Sequence, residues 1–197
     1  MPGGICGIFG KQRSGKTLFA YTLAKTIQQQ MEQQGYFLRV YSNLYSEELG
    51  FKYFNSIDAL PLDLEPKIVL IDEIYNGVDA QDWKKLKNIS IWINTLGKQN
   101  VFLIFTSIEA GMIYNRLRSQ MDLCVFVKGT TSTIYYRLLF ASYENKQVDL
   151  KVDKTPELFK DVKYDSNFIP QEFDVSMKQW SIKLESFYRK YYPKIFI

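Results

Sequence analysis

The sequence contains no histidine among its 197 residues. Histidine is the side chain that most often exchanges protons near neutral pH, and it is also a frequent metal ligand. Its absence excludes catalytic triads built on histidine and the usual Cys/His zinc sites. Any chemistry of this chain must therefore use lysine, arginine, carboxylate and hydroxyl groups.

Cysteine and long apolar runs are also scarce. The two cysteines, Cys6 and Cys124, lie in apolar segments typical of buried strands, which favours packing roles in a reducing cytoplasm over a disulfide framework. No run approaches the roughly 20 apolar residues that span a bilayer. The N-terminus also lacks the basic segment and apolar core of a secretory signal. We therefore expect a cytoplasmic protein with no integral membrane segment.

The overall composition is that of a folded, mildly basic chain. A hydrophobic content of 46% in 197 residues is enough for one well-packed domain. We predict a single domain over 1–197, with a core at 3–153 and a C-terminal extension at 154–197 that contains a helix. The net charge of +4 permits contact with nucleic acid but does not require it.

The segment GKQRSGKT, from Gly10 to Thr17, has the GxxxxGK pattern followed by threonine that is typical of a phosphate-binding loop. An apolar run at 5–9 precedes it as a strand would, and 18–34 follows with helical character. Glycine lets successive N–H groups point at phosphate oxygens. We expect Lys16 to reach the β- and γ-phosphates of ATP and Thr17 to bind Mg²⁺. The predicted nucleotide-binding residues are Gly10, Lys11, Gln12, Arg13, Ser14, Gly15, Lys16, Thr17 and Leu18.

Two acidic residues, Asp72 and Glu73, follow the apolar run at 67–71. We expect Asp72 to hold Mg²⁺ through its water shell and Glu73 to orient and activate the attacking water. This arrangement favours ATP hydrolysis over phosphoryl transfer to a small molecule. The alternative is that both carboxylates only cap a buried strand. GTP is disfavoured, because 145–149 has one residue too many for the NKxD pattern that recognises guanine.

Apolar segments alternate with helical patterns along the chain, which predicts an α/β domain with three layers and a mainly parallel sheet. The last strands of the chain are expected to form a hairpin at one edge of the sheet. The predicted strands are 5–9, 36–41, 67–71, 101–107, 123–127, 133–142 and 148–152. The predicted helices are 18–34, a short one in 55–66, and 79–97, 108–120 and 175–192.

Taken together, these motifs resemble the FtsK–HerA superfamily of DNA-pumping ATPases, over roughly residues 5–170. The resemblance extends to its viral genome-packaging members and to zonula occludens toxin-like proteins. It implies a P-loop NTPase fold of the ASCE, RecA-like type, with strand 101–107 between the loop strand and the Asp72 strand. Ser107 stands where the family carries a polar phosphate sensor. Arg116 or Arg118 stands where an arginine finger is expected; the alternative is an ordinary surface charge.

The same resemblance implies a function. We expect an ATP-hydrolysing motor that moves double-stranded DNA through phosphate contacts, acts as a homo-oligomeric ring, and packages a viral genome with a capsid or virion partner. Such a protein would act in the host cytoplasm or on the virion. One alternative is an assembly ATPase of filamentous virions, although those proteins usually carry a membrane-spanning segment. Others are a switch or scaffold that binds ATP without hydrolysing it, and a small-molecule kinase.

Two C-terminal segments also enter the prediction. Segment 163–166 is similar to a Tyr-Asp-Thr element of viral packaging ATPases. The helix predicted at 175–192 carries an apolar stripe, which indicates docking on the core. Its opposite face is expected to be basic, through Lys178, Lys183, Arg189 and Lys190. That face is either solvated or a surface for DNA, the capsid or a neighbouring subunit.

Overall fold

The computed structural model describes residues 3–74, 83–141, 146–165, 168 and 170–196. Within these residues, eight strands form one mixed sheet. Their bounds are β1 Gly4–Phe9, β2 Arg39–Ser42, β3 Phe51–Tyr53, β4 Lys67–Ile71, β5 Val101–Ser107, β6 Leu123–Gly129, β7 Thr133–Phe140 and β8 Lys146–Asp153. Parts of the predicted helix 79–97, of the turn before β8 and of the segment 163–166 lie outside the described residues.

The strand order across the sheet is β3-β2-β4-β5-β1-β6-β7-β8. The first six strands in this order, from β3 at the edge to β6, are parallel to one another. Strand β7 is antiparallel to both of its neighbours, β6 and β8. The predicted edge hairpin is therefore confirmed. Strand β5 lies between β1 and β4, as the family resemblance implies, so the carboxyl ends of these three strands meet at one edge of the sheet.

Helices cover both faces of the sheet. Their bounds are α1 Lys16–Gln33, α2 Trp83–Leu96, α3 Asn115–Ser119, α4 Pro156–Lys160 and α5 Trp180–Tyr191. Ala20 and Ala24 of α1 are fully buried on one face, where they belong to one core cluster. Trp92 of α2 and Trp180 of α5 are buried in a second cluster on the other face. The predicted three-layer α/β fold is confirmed. No helix in the described part of the chain has the length and apolar character needed to cross a membrane.

The helix predicted at 108–120 is wrong in extent. A 3₁₀ turn at Ala110–Met112 is followed only by the five-residue α3. The backbone is extended at Glu109 and at Ile113, on either side of the turn. The carbonyl of Ile108 accepts a hydrogen bond from Gly10 N–H at 3.2 Å, so the chain leaving β5 is tied to the phosphate-loop segment rather than free to begin a helix.

The C-terminal helix begins at Trp180 and not at residue 175. The residues before it pair with the segment after β3: the Ile57 N–H donates to Asp174 O at 3.0 Å, and the Asp174 N–H donates to Asn55 O at 2.7 Å. The predicted basic face also needs correction, because Lys183 points inward. Its ammonium donates to the carbonyl oxygens of Asp58 and Leu60, so it anchors α5 to the domain.

Candidate active site

The phosphate loop joins the end of β1 to the start of α1. Gly15 has φ 104° and Arg13 has φ 58°, so two loop positions adopt left-handed backbone. A Cβ atom at Gly10 would lie 2.4 Å from the carbonyl oxygen of Val127, and one at Gly15 would lie 2.9 Å from the Ile134 side chain. Packing against β6 and β7 therefore requires both glycines, and the tight loop leaves its N–H groups at the helix N-terminus.

Lys16 begins α1 and is 6% exposed. Its ammonium donates a hydrogen bond to the carbonyl oxygen of Lys11 at 3.0 Å, so the side chain curls back over its own loop. Burial lowers the pKa of Lys16, while the carboxylates of Asp72 and Glu73 oppose that shift. The loop thus holds a cation close to the carboxylates at the end of β4.

Asp72 follows β4 and is 7% exposed. Its Oδ1 accepts hydrogen bonds from the hydroxyl of Thr17 at 3.0 Å and from the hydroxyl of Thr106 at 2.7 Å. The two predicted metal-binding residues, Thr17 and Asp72, are therefore in direct contact. A hydroxyl and a carboxylate are the hard oxygen ligands that Mg²⁺ prefers, so these side chains fit that ion.

Burial raises the pKa of the Asp72 carboxyl, and the hydroxyls of Thr106 and Thr17 oppose that shift. A raised carboxyl pKa means that the charged form costs stability in the folded protein, so this cost appears as pH rises through the carboxyl range. A bound divalent cation would offset it.

Asp72→Asn should therefore stabilise the nucleotide-free protein. We expect the free energy of unfolding to rise by roughly 0.5–2 kcal/mol near neutral pH. Gains of this size are common when a functional residue that lowers the stability of the fold is replaced. The difference should shrink toward low pH, where Asp72 is protonated. Urea unfolding of both proteins at two pH values, without Mg²⁺, measures it. A variant that is less stable than the wild type near neutral pH would contradict this account.

Asn43, at the end of β2, fixes the backbone of Asp72. Its amide donates to Asp72 O at 2.9 Å and its Oδ1 accepts from Asp72 N–H at 2.7 Å. Asn43 is 1% exposed. The side chain thereby continues the β2–β4 pairing one residue beyond the strand. A polar residue directly after a strand is the signal in the sequence that could have identified it.

Thr106, near the end of β5, links the two acidic residues. Its hydroxyl donates to Asp72 and accepts a hydrogen bond from Glu73 N–H at 2.9 Å. Glu73 has φ 52°, a left-handed conformation that is costly for a residue other than glycine. Because Thr106 is fully buried, it holds Glu73 in this conformation from the interior of the sheet.

The role of Ser107 as a phosphate sensor stays a prediction, but the residue of β5 that contacts the acidic pair is its neighbour Thr106. Side chains of successive residues in a strand point to opposite faces of the sheet, so those of Ser107 and Thr106 lie on different faces. The Ser107 hydroxyl donates to Glu109 O at 3.2 Å, whereas Thr106 reaches Asp72. The polar side chain that meets the acidic pair is thus Thr106.

Arg116 and Arg118 lie on the exposed surface of α3. The Arg118 guanidinium donates to Asn115 Oδ1 at 2.7 Å and to Ala110 O at 3.4 Å. Neither arginine is among the described residues that line the cavity at the phosphate loop. A role of either one in the site of a neighbouring subunit stays a prediction.

A cavity of about 430 Å³ opens beside the loop. Asp72 and Glu73 line it. The predicted nucleotide-binding residues that also line it are Gln12, Arg13, Ser14, Gly15, Lys16, Thr17 and Leu18. A further wall of it comes from the C-terminal extension, through Lys154, Phe159, Tyr164, Asp165 and Phe168. Only Tyr164 and Asp165 of this wall carried a sequence signal, through the segment 163–166.

Solved structures share this arrangement of strands. The N-terminal domain of zonular occludens toxin from Neisseria meningitidis matches 84% of this chain and 100% of its own length, with 14% identity and a TM-score of 0.59. The DNA-packaging ATPase of Sulfolobus Turreted Icosahedral Virus matches 75% of this chain and 97% of its own length, with 10% identity and a TM-score of 0.53. The chain has a P-loop NTPase fold.

Another P-loop NTPase with this fold is the genome packaging NTPase of Sulfolobus turreted icosahedral virus 2, solved in complex with ATP-gammaS. It matches 74% of this chain and 96% of its own length, with 9% identity and a TM-score of 0.52. At such identities the likeness shows the fold, and it confirms the resemblance to the packaging and zonula occludens toxin branch at that level. No family model matches the sequence, and no curated protein matches it.

Proposed function

We propose that this protein is a Mg²⁺-dependent ATPase. The observation that carries the proposal is the hydroxyl of Thr106, which joins Asp72 to the backbone of Glu73 at the edge of the phosphate-loop cavity. A loop that only bound a nucleotide would not need a second carboxylate held in costly backbone beside the first. A carboxylate held in this way can act as a general base, which must contact the attacking water in a fixed orientation.

The residues then have distinct tasks. The loop N–H groups and Lys16 hold the β- and γ-phosphates, while Thr17 and Asp72 hold the metal. Bound Mg²⁺ supplies neutralisation of the charge that develops on the phosphates. Glu73 orients a water molecule in line with the γ-phosphate. It accepts a proton from this water as the water oxygen bonds to the γ-phosphorus and the P–O bond to the leaving ADP breaks.

We further propose that hydrolysis drives translocation of double-stranded DNA, in a homo-oligomeric ring that packages a viral genome at a capsid or virion. The support is the fold shared with a protein described as a DNA-packaging ATPase, together with the net charge of +4. The arginines of α3 are exposed and do not line the described part of the cavity of their own subunit. They are therefore candidates for an arginine finger that completes the active site of a neighbouring subunit. In this proposal residues 1–197 are one ATPase domain acting in the host cytoplasm or on the virion.

The second candidate is a zonula occludens toxin-like assembly ATPase of filamentous virions. The observation that favours it is the match to the whole N-terminal domain of the meningococcal toxin. Both candidates use the same hydrolysis chemistry, so they differ in the partner that couples to the ATP cycle. DNA dependence separates them.

The experiment compares ATP hydrolysis with and without double-stranded DNA, alongside native mass. For the motor we expect an oligomer whose rate rises several-fold with DNA and loses that gain as salt is added, because contacts to DNA phosphates release counterions. A monomer with the same rate in both conditions would contradict the motor proposal. Oligomers that hydrolyse ATP independently of DNA would favour the assembly ATPase.

Mixed oligomers test the arginine finger. Subunits carrying Arg116→Ala or Arg118→Ala are combined with Lys16→Ala subunits. Arg39→Ala serves as the control, because Arg39 begins β2 and is not among the described residues that line the cavity. If one α3 arginine acts across the interface, the mixture should regain activity that neither variant has alone. Intact mixed oligomers without regained activity would exclude this role in trans.

A further inference from the structure

The chain after β8 lines the phosphate-loop cavity. We call this segment, described at residues 154–165 and 168, the strap. Lys154 is its first residue and Phe168 its last, and both line the cavity together with the phosphate loop. A triphosphate bound in this cavity would therefore lie close to residues of both the loop and the strap.

The strap is fastened near its C-terminal end to the loop that follows β2. The Glu47 N–H donates to Lys163 O at 3.2 Å, and the Asp165 N–H donates to Tyr45 O at 3.3 Å. These bonds form an antiparallel bridge with Tyr164 at its centre. The backbone of Tyr164 is therefore held on both sides, so its side chain has a defined position relative to the cavity.

A second attachment joins the strap to α1. The hydroxyl of Tyr21 accepts a hydrogen bond from Lys163 N–H at 3.2 Å and donates one to Glu48 at 2.7 Å. The ring of Tyr164 packs on that of Tyr21, with 5.2 Å between their centroids. Because Tyr21 lies one helical turn after Thr17, this packing brings Tyr164 to the metal side of the cavity.

The hydroxyl of Tyr164 has no hydrogen-bond partner among the residues that the structure describes, although the side chain lines the cavity with Thr17 and Asp72. Burial, with a smaller contribution from the charge of Asp72, raises the pKa of Tyr164 to about 12. At neutral pH the group is therefore a neutral hydroxyl that donates, and the nearby phosphate site would supply acceptor oxygens.

We propose that the Tyr164 hydroxyl donates a hydrogen bond to the metal-bound triphosphate, so that a bound nucleotide ties the strap to the phosphate loop. This inference rests on the proposed function, because it requires a nucleotide in the cavity. The strap then contacts the nucleotide, in addition to connecting β8 to the β2 side of the sheet. The nucleotide contacts then come from both the phosphate loop and the strap.

The first test is equilibrium binding of fluorescent ATP-gammaS with Mg²⁺. Tyr164→Phe removes the hydroxyl and keeps the ring on Tyr21, and we expect a Kd about tenfold higher, the loss of one hydrogen bond to a charged group. The matched control is Tyr135→Phe, an exposed tyrosine of β7 that does not line the cavity. Lys16→Ala defines the signal without specific binding.

The second test is tryptic cleavage of the strap, which carries Lys154, Lys160 and Lys163. Without nucleotide, wild type and Tyr164→Phe should be cut at the same rate. At equal nucleotide occupancy, the wild type should be protected more strongly than the variant. Faster cleavage of Tyr164→Phe without nucleotide would mean that the hydroxyl holds the strap itself, and would overturn the inference.

The outcomes separate this inference from the proposed function. Wild type and Tyr164→Phe that bind nucleotide equally well, while Lys16→Ala does not, would overturn the role of Tyr164 alone. A wild type that binds no better than Lys16→Ala would overturn the proposed function and this inference together. A higher Kd for Tyr164→Phe with an unchanged Kd for Tyr135→Phe supports it.

Discussion

Glutamine in place of Glu73 is expected to stop ATP turnover while ATP binding persists. The amide keeps the size of the side chain but accepts no proton from water, and general-base catalysis is worth about 10²–10⁴ in rate. The backbone bond from residue 73 to Thr106 is unaffected, since it uses the main-chain N–H. We therefore expect kcat to fall by at least about a hundredfold and Kd to change little.

The control for this prediction is Glu65→Gln. Glu65 is an exposed carboxylate that forms an ion pair with Arg39 at 3.1 Å, and exposed pairs of this kind contribute little to stability. Steady-state phosphate release and binding of fluorescent ATP-gammaS give the two quantities. A Glu73→Gln protein that retained turnover within about threefold of the wild type would remove Glu73 as the base.

Thr106→Val is expected to cause the second large loss. Valine has the shape of threonine but leaves one hydrogen bond to Asp72 unmade and the Glu73 N–H without its buried acceptor. We expect kcat to fall by about 10- to 100-fold, because Asp72 and Glu73 lose a shared positioning group. The free energy of unfolding should also fall by about 1–3 kcal/mol, the cost of an unsatisfied buried polar group.

Two companion variants make the test of Thr106 specific. Thr106→Ser retains the hydroxyl and should keep most of the activity, although it creates a small void. Ser107→Ala should lower the rate less than Thr106→Val, because the Ser107 hydroxyl bonds to Glu109 O and not to the acidic pair. A larger loss from Ser107→Ala than from Thr106→Val would support Ser107 as the phosphate sensor and contradict the positioning role of Thr106.

The parts of the fold with strong local signals were predictable. Strands β4 and β5 match the predicted 67–71 and 101–107, because a strand buried on both faces is an uninterrupted apolar run. The phosphate loop was equally predictable from the sequence, because close contacts leave no room for a side chain at its glycine positions and so fix the motif. The insertion of β5 between β1 and β4 came from the family resemblance and not from local pattern.

The parts that depend on tertiary contacts were harder to predict. The choice between Thr106 and Ser107 depends on which face of β5 meets Asp72, a matter of register that two adjacent hydroxyl residues do not reveal. The three-residue strand β3 is too short to show a period. The strap has no apolar pattern, and its bonds to residues 45–47 join positions more than 100 residues apart.

The most direct test of the account is phosphate release from ATP by the wild type and by Lys16→Ala, purified in the same way and measured with Mg²⁺ and with excess EDTA. The account predicts turnover by the wild type with Mg²⁺, on the order of 1 per second, and none above background in the other three conditions. Equal phosphate release by wild type and Lys16→Ala, or none by either protein, would contradict it.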